Sequence, residues 1–61
     1  MFLELTPTYG DYKLYVSPMC IAMMKQERDG LRIWLTGNDQ IIVQESLDEV
    51  LTRIKSKKKF F

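Results

Sequence analysis

Apolar and polar positions alternate along most of the chain, and short polar breaks interrupt the alternation. Phe2 to Thr6 predicts a first strand, which Pro7 stops. Thr8-Tyr9-Gly10-Asp11 supplies turn chemistry, because glycine tolerates positive φ and aspartate bonds its own backbone. Tyr12 to Val16 predicts a second strand, with Tyr12, Leu14 and Val16 on one face and Lys13 and Tyr15 on the other. Ser17-Pro18 breaks it, since Pro18 has no N–H for a ladder.

Met19 to Gln26 alternates too. Its Ala and Met content suits a helix, but its shortness and its place between strands favour a strand. Glu27-Arg28-Asp29-Gly30 predicts a hairpin loop. Leu31 to Thr36 is the clearest strand, with Leu31, Ile33 and Leu35 facing away from Arg32, Trp34 and Thr36. Gly37-Asn38-Asp39 predicts the next turn and Ile41 to Gln44 the last strand.

The period then changes. Leu47, Val50, Leu51 and Ile54 fall at i, i+3, i+4 and i+7, one apolar stripe of a helix. Ser46 predicts the N-cap, and Glu49 three residues on completes a capping-box pattern. Asp48 and Glu49 suit the positive end of the helix dipole, and Arg53, Lys55 and Lys57 the negative end. The stripe stops at Ile54, so the helix should fade near Lys57. The expected fold is α+β: an antiparallel meander of four to five strands, with one C-terminal helix packed on one face. Residues 1–56 form the expected domain, and residues 57–61 a basic and aromatic tail.

At 61 residues, 46% hydrophobic and 28% charged, the chain has the composition of one small folded domain rather than a disordered segment. The absence of histidine removes the commonest general base and most zinc chemistry. No metal-ligand spacing or glycine-rich phosphate loop is present, so neither catalysis nor a cofactor is expected. The one cysteine, Cys20, has apolar neighbours and is expected to be a buried, inert thiol. No apolar run approaches the ~20 residues of a membrane-crossing helix. No secretory h-region is visible either, so a cytoplasmic protein is expected.

The charge is lopsided. Residues 1–52 carry four basic and eight acidic side chains, whereas residues 53–61 carry Arg53, Lys55, Lys57, Lys58 and Lys59 and no acid. Two groups of candidate interaction residues follow. Arg32 and Trp34 share the strand face that a single helix would leave open. They could form a protein-binding hot spot or a base-stacking platform, or pack against Tyr15 or Phe2. Lys57, Lys58, Lys59, Phe60 and Phe61 could meet phosphates or an anionic surface, or simply end the chain in solvent. An uncovered sheet face and open strand edges predict a homo-oligomer, a two-fold dimer touching through Trp34, Tyr15 and the end strands.

The order of features also resembles a known family. Leu5-Thr6 closes the first strand, Gly10 turns, and a strand ends at Val16. Ile21 follows, then Leu35-Thr36 before Gly37, Val43-Gln44-Glu45-Ser46, and Glu49-Val50 with Ile54. This pattern resembles the small FlbD-like (SwrD-type) flagellar motility proteins, most sharply over residues 31–54. The resemblance implies a motility-accessory protein that acts through protein contacts and has no catalytic residues. The competing expectation is a nucleic-acid-binding protein of phage or mobile-element type, using the basic tail.

Overall fold

A computed structural model describes residues 1–56. Its elements run β1 (Leu3–Leu5), β2 (Leu14–Val16), a 3-10 turn (Pro18–Cys20), β3 (Ile21–Glu27), β4 (Gly30–Leu35), β5 (Gln40–Val43) and α1 (Leu47–Ser56). The fold is α+β with antiparallel sheets and one C-terminal helix.

The strands do not form one meander. β1 pairs with β2 in a two-stranded sheet, and β3, β4 and β5 form a three-stranded sheet in that order. The chain just after β1 reaches across to β5 instead. Pro7 bridges Val43, the Thr8 N–H donates to the Ile42 carbonyl at 2.8 Å, and the Gln44 N–H donates to the Thr6 carbonyl at 2.7 Å. The first strand therefore changes partner at Thr6: β2 before it, β5 after it. Pro7 is buried at this crossing, where its missing N–H costs no ladder bond because the Thr6 carbonyl and Thr8 N–H make the contacts.

This geometry sends the apolar faces of both sheets inward. Leu3 and Leu5 from β1, Leu31 and Ile33 from β4, Val43 from β5 and Val50 from α1 are all fully buried. Val16, Ile21, Met24, Leu35, Ile41, Leu47 and Ile54 pack around them. Each fully buried aliphatic side chain contributes about 1.5–3 kcal/mol relative to exposure. The alternation in Leu31 to Leu35 is thus realised as expected. Leu31 and Ile33 are inward, while Arg32 and Trp34 are outward and half-buried.

Two turns depend on backbone freedom. The β4–β5 turn puts Gly37 at φ +92° and Asn38 at φ +72°, the left-handed conformation that these residue types adopt with least penalty. Gly30 closes the β3–β4 hairpin at φ +150°, and a Cβ there would lie 2.5 Å from the Val43 carbonyl oxygen and 2.6 Å from Thr8 Oγ1. The hairpin, β5 and the crossing strand come close together at Gly30.

The expected strands at either end of the first hairpin are shorter in the structure. The second begins only at Leu14, since Tyr12 and Lys13 remain in the connection. Cys20 is exposed rather than buried, because Pro18 starts a 3-10 turn that carries Met19 and Cys20 out into solvent before β3 begins. The alternation read from Met19 therefore starts two residues too early. A bulge between Ile21 and Met23 then resets the faces, so that Ile21 packs inward and Met23 outward.

The helix begins where expected. The Glu49 N–H donates to Ser46 Oγ at 3.1 Å, which makes Ser46 the N-cap. The Glu49 carboxylate turns to Arg53, 3.5 Å away, so the second half of the capping box is replaced by an i,i+4 ion pair. Gln26 of β3 supplies another cap, its Oε1 accepting the Leu47 N–H at 2.9 Å. Of the predicted stripe, Leu47, Val50 and Ile54 join the core, while Leu51 stays 47% exposed.

Candidate interaction face

The outer face of the three-stranded sheet is built by register. Met23, Trp34 and Gln40 form one cross-strand row, and Lys25, Arg32 and Ile42 form the next. Lys25 and Arg32 stand directly opposite each other. Like charges in that position repel, so the pairing needs an acid nearby.

Glu27 is that acid. Arg32 Nε donates to Glu27 Oε1 at 3.0 Å, and Arg32 Nη1 donates to Gln40 Oε1 at 2.8 Å. The Arg32 guanidinium carbon lies 5.9 Å from the centre of the Trp34 ring, within cation–π range. One arginine therefore ties all three strands together on their outer face and covers part of the tryptophan. Met23, at 55% exposure, flanks the ring from β3. The result is an apolar pair, Met23 and Trp34, beside a row of Lys25, the bound Arg32 and Ile42.

Tyr15 lies in the other sheet, opposite Glu4 of β1, and about half of it is exposed. Sheet membership thus separates Tyr15 from the row that holds Trp34, whose cross-strand neighbours are Met23 and Gln40. Phe2 precedes β1 and is half-exposed. Lys57, Lys58, Lys59, Phe60 and Phe61 lie outside the described residues.

The polar centre of the molecule is elsewhere, and sequence reasoning missed it. Glu45, only 8% exposed, accepts the Thr6 N–H through Oε1 at 2.9 Å and faces Arg53 Nη1 through Oε2 at 3.4 Å. Arg53 in turn donates to the Glu4 carbonyl at 2.9 Å. These bonds fasten α1 to β1 at the point where β1 changes partner. Burial pushes the Glu45 carboxyl up, but it is outweighed by hydrogen bonds from the Thr6 and Glu45 backbone and by the Arg53 charge. The carboxyl is held below the usual glutamate range. The only sequence signal was an acid next to a helix cap and an arginine two turns later, an ordinary helix pattern.

At the hairpin end, the Tyr9 hydroxyl donates to Asp29 Oδ2 at 2.9 Å. That bond and the neighbouring negative charge push the phenol above its usual value. A shallow surface groove at the start of α1 is lined by Ser46, Asp48, Glu49, Thr52 and Arg53. Ser46 and Arg53 already serve as cap and ion-pair partner there. Among the described residues, no group of three or more cysteine, aspartate or glutamate side chains is placed to hold a metal ion, and no helix is long and apolar enough to cross a membrane.

Comparison with protein-family models, with curated proteins and with solved structures found no match in any of the three.

Proposed function

We propose that the chain is a small non-enzymatic protein-interaction module whose binding surface is the outer face of β3, β4 and β5. One observation carries this reading. Arg32 is already bound to Glu27 and Gln40 and lies over Trp34, so it stiffens the face and has little charge left for phosphate. A bound arginine beside a half-buried tryptophan and an exposed methionine has the composition of a protein hot spot. The resemblance to FlbD-like motility proteins supports a role as a cytoplasmic accessory of flagellar motor output. The nucleic-acid reading would instead use the basic residues Arg53, Lys55, Lys57, Lys58 and Lys59 together with Arg32 and Trp34.

The test is a photo-crosslinking amino acid at position 23, introduced in the cell from which the gene derives, with position 11 as the exposed control. Protein adducts from position 23 and not from position 11 are expected. Adducts to nucleic acid would reverse the ranking. Labelled oligonucleotides provide the second arm: no submicromolar binding is expected at about 150 mM salt, where charge–charge contacts are screened beyond ~8 Å. Impaired swimming on deletion of the gene would support the motility role, and unimpaired swimming would remove it.

A further inference from the structure

We propose that α1 carries a self-association surface, and that its occupant is α1 of a second copy packed antiparallel across a two-fold axis. Asp48, Leu51, Thr52 and Lys55 are all exposed. Their spacing of three, one and three residues puts them on one ridge of the helix. This ridge flanks the stripe of Leu47, Val50 and Ile54 that enters the core, with Leu51 at its border. Asp48 and Lys55 have no partner among the described residues, in contrast to Glu49 and Arg53, which hold each other.

The ridge is self-complementary. An antiparallel pair centred between Leu51 and Thr52 sets Asp48 against Lys55 of the second copy and Lys55 against Asp48 of the second copy. Leu51 meets Thr52 of the second copy at the axis, where the small side chain admits the larger one. An isologous contact of this kind closes as a dimer and does not propagate. Opposed helix dipoles add to it.

Other surfaces suit a second copy less well. The free edge of β3 carries Lys25 and a bulge, and β2 is only three residues long; both features discourage edge pairing. A two-fold stack of the outer sheet face about the Lys25–Arg32 row would set Lys25, which has no acid partner among the described residues, against the already ion-paired Arg32 of the second copy. The dimer on α1 leaves that face free, so this inference does not depend on the reading given above. The ten residues of α1 offer a strip about 15 Å long and ~10 Å wide. That is well below the ~800 Å² per partner of a standard interface, so association is expected to be weak and reversible.

The experiment is sedimentation of the full chain up to ~1 mM, a concentration suited to an interface of this size. The average mass should rise from 7.2 kDa toward twice that value. Asp48→Lys alone and Lys55→Asp alone each turn both ion pairs into like-charge pairs, and each should weaken association about tenfold. An equimolar mixture of these two variants restores both pairs and should associate more tightly than either alone. Circular dichroism checks that each variant is folded. If either is not, Leu51→Gln replaces it, since this exposed position can change without disturbing the core, and it too should shift the chain toward monomer. A chain that stays monomeric at ~1 mM would overturn the proposal. So would a dimer indifferent to Leu51→Gln, or a mixture of folded charge variants that associates no better than its components.

Discussion

Replacing Glu45 tests whether α1 is held to the sheets by the polar clasp as well as by the core. Glu45→Ala leaves the Thr6 N–H without its acceptor and removes the nearest carboxylate from the partly buried Arg53. An orphaned buried N–H costs about 1–3 kcal/mol, and breaking a fully buried ion pair about 3–5 kcal/mol. The second figure must be discounted here, because the Arg53 side chain is 19% exposed and keeps both Glu49 and the Glu4 carbonyl. A total of about 2–3 kcal/mol is expected. That is a large share of the roughly 3–9 kcal/mol available to a domain of this size. Glu45→Gln keeps an acceptor for Thr6 and should cost only about 1 kcal/mol.

The assay is urea unfolding followed by far-ultraviolet circular dichroism, repeated from pH 7 downward. The folded-state carboxyl of Glu45 is depressed relative to 4.5 in the unfolded chain. Its contribution is therefore complete above that value and is lost as pH falls through the lower, folded value. The gap between the parent chain and Glu45→Gln should narrow over that acid range and stay constant above it. An Ala variant within about 0.5 kcal/mol of the parent, as for an ordinary surface site, would refute the reasoning. So would a gap that ignores acid.

Four further substitutions test the local geometry. Ser46→Ala should cost about 1 kcal/mol by removing the N-cap, and Gln26→Ala should cost a comparable amount by freeing the Leu47 N–H; both are read from urea midpoints. Gly30→Ala should destabilise by about 2 kcal/mol or more, or prevent folding, because the new Cβ meets a backbone carbonyl as well as Thr8; a neutral melting curve would show that the hairpin can move away. Asp29→Asn should bring the raised Tyr9 phenol back toward 10.0, followed by NMR titration. With the folded value raised, the Tyr9–Asp29 contribution is complete below pH 10.0 and disappears as pH rises through the raised value.

The local pattern of the chain determined the elements that answer to local physics. Alternation at Leu31 to Leu35 needs only a period of two and one buried face, and β4 follows it. The Ser46 cap and the apolar stripe behind it are complete within about ten residues, and α1 starts where they place it. The outward pairing of Arg32 with Trp34 was legible for the same reason, as both lie on one face of one strand.

Tertiary structure decided the rest. Pro7 read as the end of a strand, but it marks a crossing where β1 changes from β2 to β5, and no residue near Pro7 specifies Val43 as its partner. Cys20 read as buried from its apolar neighbours; its exposure follows from the 3-10 turn that Pro18 begins. In a single meander the outward faces of Tyr15 and Trp34 would share one surface, but the two residues belong to different sheets because the first hairpin does not continue into the second. The Glu45–Arg53 clasp joins residues 6, 45 and 53, and its worth arises from burial. Burial belongs to the assembled core, so a polar group's partner at long range has no signature in the spacing of the residues beside it.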